Sequence, residues 1–316
     1  MDNLKSSFAF IGKFSAIAVL MLLFLLSGAW GQSRVSGELA LRAFKYAFPD
    51  KVSEVVFIEG DWAIIAGGET FFWAEGRILP RAERGNIGQY APYGFFSIPR
   101  QPVSPDTLAP EVVESIRARG TPQSQRERRG NHRGLQGILY GGLTRNQIEQ
   151  RLVRFYFLGR RVTVHQLIEQ PLRNVEAAVR SHPEGPAFIA TLGNITGYNW
   201  REIAGTQRMS FHSWGLAVDI QPRSLGGRAI FWQWERARNE DWMLIPLERR
   251  WSPPYFVIEA FEREGFIWGG KWTFFDNMHF EFRPELHEFT RLVSQSATGV
   301  FAATLHHIFP GSLPIQ

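Results

Sequence analysis

The sequence predicts an α+β fold, a small antiparallel sheet with flanking helices, preceded by a small helix-and-strand region. Three observations carry that expectation. Residues 52–80 are short apolar runs cut by Gly and Asp turns, "GLAVDI" at 215–220 alternates with period two, and "PPYFVIEAFEREG" spaces its apolar residues as a helix does. At 316 residues and 44% hydrophobic, the chain is long enough to bury one large core or two modest ones. The 14% of aromatic residues suits aromatic-lined cores or grooves.

The first segment, 1–31, has the design of a secretory signal peptide. Lys5 and Lys13 precede an apolar run from Ala16 to Leu26, and the small residues Ala29 and Gly31 suit a cut before Gln32. The competing reading is an inner-membrane anchor over residues 14–28, but the uninterrupted run falls short of the roughly 20 residues a spanning helix needs. The expectation is an exported protein, periplasmic or extracellular, with no stable span after cleavage. With no cysteine, there is no disulfide framework, and any metal must be held by His and carboxylates.

Within residues 32–80, "GELALRAFKYAFPD" reads as a helix stopped at Pro49, and 52–80 as a small antiparallel sheet. A wall-anchoring role for this region is one reading. Residues 81–143 carry prolines at 92, 99, 102, 105, 110 and 122, then the run "RERRGNHRG", which reads as a connection with an exposed basic tip. The run lacks the interleaved aromatics of a single-strand binder, and no nucleic acid is expected as a partner.

Residues 144–295 form the expected main domain, and 296–316 a C-terminal tail. "LTRNQIEQRLVRFYFLG" reads as a helix capped by Thr144, "VTVHQLIEQPLRNVEAAVRSH" as a helix broken at Pro171, and "AFIATLGNITGYN" as a strand entering a turn. "PPYFVIEAFEREGFIWGG" reads as a helix opened by prolines and closed by Gly265, then a short strand.

The chemistry gathers in "SFHSWGLAVDI" and "FFDNMHFEF". In the first, Leu216, Val218 and Ile220 share one strand face, and Ala217 and Asp219 share the other; Gly215 permits a kink that turns His212 toward Asp219. The second supplies Asp276 and His279. Two histidines and a carboxylate suffice to hold a catalytic zinc with one open position. On spacing alone, a His and an Asp in a strand are more often a hydrogen-bonded pair or surface residues than ligands.

The pattern S-x-H-x-x-G-x-A-x-D (Ser210, His212, Gly215, Ala217, Asp219), followed by D-x-x-H-F-E (Asp276 to Glu281), resembles the zinc peptidase family of D-Ala-D-Ala carboxypeptidases and L-alanyl-D-glutamate endopeptidases. That family shares its fold with the hedgehog signalling domain, and the resemblance spans roughly residues 160–290. It implies one Zn2+ per chain held by His212, Asp219 and His279, with Asp276 as general base and a peptidoglycan stem peptide as substrate. It also implies a substrate-binding role for Ser210 and an arginine upstream of the first ligand, Arg201 or else Arg208.

Asn199 and Trp200 depart from the family's usual G-Y-R-S run. Aspartate at 276, where the carboxypeptidase branch usually has glutamate, looks more like the endopeptidase branch. Glu281, on the face of His279, is placed to accept a hydrogen bond from a ligand histidine.

His132, His165, His182, His287, His306 and His307 fit no ligand pattern and read as structural or exposed. No G-x-S-x-G elbow, P-loop or dinucleotide-binding glycine run is present. The reading from a different class is a non-catalytic zinc protein of the same fold that binds cell wall or a partner.

Overall fold

The computed structural model describes residues 36–206 and 208–308, with side chains through Ser296. The expected signal segment, 1–31, lies outside the described residues, as do the last residues of the expected tail. Among the described residues no helix is long and apolar enough to cross a membrane.

The chain opens with helix α1 (Gly37–Ala47), whose Ala40, Leu41, Ala43 and Phe44 are buried. Strands β1 (Val52–Ile58), β2 (Asp61–Ala66), β3 (Glu69–Ala74) and β4 (Arg77–Pro80) follow as an antiparallel meander in sequential order, as its turn signals predict.

Residues 81–143 hold more structure than a connection. They include helices α2 (Pro110–Gly120), α3 (Pro122–Arg126) and α4 (Gly134–Tyr140). Val113 and Ile116 of α2 pack against Trp232, Trp242 and Phe275. The basic run is tethered too, since the Arg128 guanidinium lies 5.5 Å from the centre of the Phe274 ring. An amphipathic surface was hidden here among prolines that merely open the helices at Pro110 and Pro122.

Three assignments change in the next stretch. Helix α5 (Arg145–Glu149) has the expected Thr144 cap, closed as a capping box by Gln147, but it stops after five residues. Residues expected to continue it form strand β5 (Leu152–Phe157), which pairs with β6 (Arg160–His165) across the turn Leu158–Gly159. Both turn residues have positive φ, 48° and 77°, the hairpin geometry that matches strand twist.

Helix α6 (Glu169–Ser181) runs through Pro171 rather than breaking there, because a proline in the first turn forfeits no intrahelical bond. The segment expected as a strand is helix α7 (Gly185–Thr191), and only then strand β7 (Leu192–Thr196).

Strand β8 (Ala217–Pro222), helix α8 (Trp232–Arg236), helix α9 (Tyr255–Arg263), strand β9 (Phe266–Trp268), strand β10 (His279–Phe282) and helix α10 (Pro284–Ile308) complete the described chain. The second four-stranded sheet has the order β7-β8-β10-β9 and is antiparallel throughout. As the alternation requires, Leu216, Val218 and Ile220 are fully buried. Gly265, at φ 84°, ends α9 as expected.

Candidate metal centre

Long-range pairing builds the site. β10 lies beside β8 with His279 directly opposite Asp219, so strands far apart in sequence bring the two side chains onto one face. His212 arrives from a short 3-10 turn, Phe211–Trp214, just before β8. Ser210 caps that turn, its hydroxyl accepting a hydrogen bond from the His212 N–H at 3.3 Å.

Gly215 ends the turn at φ 65°, and a Cβ there would stand 2.7 Å from the His165 backbone nitrogen. Only glycine satisfies both the left-handed backbone and this close approach.

The donor atoms of His212, Asp219 and His279 converge. His212 Nε2 lies 3.1 Å from Asp219 Oδ1 and 3.3 Å from His279 Nδ1, and His279 Nδ1 lies 2.9 Å from the same carboxylate oxygen. Ligands about 2.0–2.1 Å from one tetrahedral ion stand roughly 3.3 Å apart, so this spacing suits a zinc-sized cation.

The outward nitrogens select the tautomers. His212 Nδ1 faces the Gly197 carbonyl at 2.6 Å, which can only accept, and His279 Nε2 faces Glu281 Oε2 at 3.2 Å. Each ring therefore donates outward and turns a lone pair toward the other. Two lone pairs and a carboxylate facing one another favour a cation between them.

Without a cation, the same convergence draws protons to the site. Burial opposes ionisation of Asp219, yet His212 and His279 outweigh it and hold its carboxyl well below the ordinary range. Burial likewise disfavours charge on His279, but its bonds to Asp219 and Glu281 raise its pKa strongly. Glu281 is held low by His279 and Arg283 against the effect of burial. Opposite it on β8 stands Ala217, the small residue that leaves it room.

Asp276 sits in the turn that leads into β10, its carbonyl accepting from the His279 N–H at 3.1 Å. Its Oδ1 is enclosed without a hydrogen-bond partner. Burial pushes its pKa up to about 7, and the neighbouring charges of His279, Asp219, Arg201 and Glu281 also act on it. A Cβ on Gly269 would stand 2.6 Å from the Asp276 carbonyl oxygen, so "WGGKW" supplies the space that lets Asp276 approach.

Arg201 is exposed, its guanidinium near enough to influence Asp276 while bonded to the Glu202 carbonyl at 3.3 Å. Arg208 is half-buried in the field of Glu281 and Arg283, and burial lowers its pKa.

Residues 204–282 match the family model described as D-alanyl-D-alanine carboxypeptidase. The matched segment contains His212, Asp219, Asp276, His279 and Glu281, and it includes Arg208 but not Arg201. Residues 40–95 match a second family model, described only as a domain of unknown function. No curated protein and no solved structure matches the chain.

Sequence reasoning overlooked Arg283 and Glu285. Arg283 Nη1 donates to Glu281 Oε1 at 3.0 Å, and Arg283 Nε donates to Glu285. No strand periodicity marks them, since Arg283 directly follows β10 and Glu285 lies in the first turn of α10. Thr196 was also missed; its hydroxyl lies 3.5 Å from Asp219 Oδ2.

Proposed function

We propose that this is an exported zinc peptidase that hydrolyses peptidoglycan stem peptides, with Asp276 as its general base. The observation that carries the reading is an enclosed, unpartnered carboxylate oxygen beside a convergent His–Asp–His set. The donor chemistry supports zinc, with His212, Asp219 and His279 as its holders, one ion per chain. When bound, zinc supplies Lewis acidity for the attacking water and the scissile carbonyl.

The chain's own residues do the rest. Asp276 accepts the proton of the attacking water and delivers it to the leaving amine. Burial, which pushes the Asp276 carboxyl up in the metal-free site, favours its holding the proton between the two transfers. Glu281 holds the His279 ring in its ligand tautomer. Arg201, or Arg208, supplies a guanidinium for a substrate carboxylate or the developing oxyanion. Ser210 contributes by shaping the turn that carries His212. Aspartate at 276 favours cleavage between L-alanine and D-glutamate over release of terminal D-alanine.

The test is to quantify bound metal and to follow purified muropeptides by mass spectrometry with and without chelator. Chelator-sensitive cleavage is expected, and the product masses identify the bond. Asp276→Ala should keep zinc and lose about 10²–10⁴ of the rate. Stoichiometric zinc with no cleavage by the wild type would favour the non-catalytic binding protein.

A further inference from the structure

The proposed mechanism leaves Arg283, Glu285 and Tyr93 without a role, although Arg283 and Glu285 are buried. They form one chain with the candidate metal centre. His279 Nε2 faces one oxygen of Glu281, and Arg283 Nη1 donates to the other at 3.0 Å, so Arg283 determines how Glu281 is presented to the ligand ring. Arg283 in turn donates through Nε to Glu285 Oε1, and the Tyr93 hydroxyl donates to that same oxygen at 3.1 Å. The Arg283 guanidinium also lies over the rings of Tyr93, at 5.3 Å, and Phe211, at 5.0 Å.

Buried ion pairs add little net stability, since their desolvation offsets their attraction. Stability alone gives no reason for a Glu–Arg–Glu series in this core.

Tyr93 belongs to the N-terminal region. Its backbone N–H donates to the Gly76 carbonyl in the β3–β4 turn at 2.7 Å, and its ring packs edge-on against Phe44 of α1 at 5.2 Å. A second, apolar line reaches the other ligand. Phe48, just after α1, packs on Tyr140, and Tyr140 packs on Trp214, two residues after His212.

We infer that residues 37–95, which include the whole segment matched to a domain of unknown function, act as a positioning brace for the metal centre, with Tyr93, Glu285 and Arg283 as positioning residues that orient His279 through Glu281. The region is thus a working part of the metal site and not a separate wall-binding module. This inference rests on the zinc reading of the site.

The experiment measures zinc affinity of the full chain by competition with a chromophoric chelator, beside the thermal midpoint of the zinc-free protein. Tyr93→Phe keeps the ring and removes the hydroxyl; Glu285→Gln keeps the volume and removes the charge. Each is expected to weaken zinc binding about 10-fold, the low end of the loss for a ligand's supporting partner. Thr290→Val is the control, because it removes a hydrogen bond made to α10 just beyond this segment, Ile98 N–H to Thr290 Oγ1 at 2.9 Å, and leaves the chain to His279 intact. Its zinc affinity should stay within about twofold of wild type.

Unchanged affinity in both Tyr93→Phe and Glu285→Gln overturns the brace while leaving the zinc reading standing. Equal weakening in Thr290→Val overturns it as well, since that would mark general loosening of the interface. A wild-type chain that binds no zinc would sink the zinc reading itself.

Discussion

Among the described residues, two four-stranded antiparallel sheets are assembled in opposite ways. The meander β1–β4 closes through three two-residue turns, Glu59–Gly60, Gly67–Gly68 and Glu75–Gly76, all with positive φ at both positions. Its register is therefore a local property of the turns. The sheet β7-β8-β10-β9 has no such turn between its central strands β8 and β10, and those strands face His279 with Asp219. The meander buries apolar side chains such as Ile64, Phe71 and Phe72, whereas the second sheet also buries His279 and Glu281, with Arg283 buried directly after β10. The candidate site sits where register depends on tertiary pairing, whereas the register of the meander is set by local turns.

The largest expected effect separates the two sheets outright. His279→Ala should weaken zinc binding by at least about 100-fold, while hydrogen exchange in the meander stays at its wild-type rate. Loss of meander protection in this variant would mean that the sheets fold as one unit around the ion.

A pair of glycine substitutions sharpens the comparison. Gly215 and Gly68 both have positive φ, but a Cβ at Gly68 meets nothing within 4 Å, whereas one at Gly215 strikes the His165 backbone. Gly215→Ala should cost more than about 2 kcal/mol in denaturant unfolding and weaken zinc binding, because the turn carrying His212 must shift. Gly68→Ala should cost only about 1–2 kcal/mol and leave zinc affinity unchanged. Equal zinc affinities in the two variants would detach His212 from the Gly215 turn.

The remaining test is a titration of the zinc-free protein. Asp276 has its pKa raised from 3.8 to about 7 by burial. The unfolded chain therefore releases its proton first as pH rises. The contribution of Asp276 to stability is full below pH 3.8 and is lost as pH rises through about 7. Asp276→Asn should flatten that slope, which is at most about 1.4 kcal/mol per pH unit for one group. A wild-type slope that persists in the variant would place the titrating group elsewhere.

Legibility in the sequence followed the range of the interactions. The meander and α1 were readable because turns and apolar period act within a few residues. The candidate ligand set was readable only through the resemblance of its two motifs to a zinc peptidase family, and its three donor atoms do converge. Strand β5 was misread as helix because "LVRFYF" has apolar residues compatible with either period, and its partner β6 settles the matter. Helix α2 is not legible in the sequence because its buried face is completed by Trp232, Trp242 and Phe275, far along the chain.

By itself the sequence determined which groups are available for chemistry: two histidines, two aspartates and a glutamate in two short motifs, with no thiol to compete. It also determined the meander, whose turns need no distant partner. Only the tertiary structure decided that Asp219 faces His279, that Arg283 and Glu285 continue the line from Glu281, and that Tyr93 closes it. Such contacts form only when β10 has paired with β8 and the N-terminal region has packed against α10, an arrangement that no local pattern specifies.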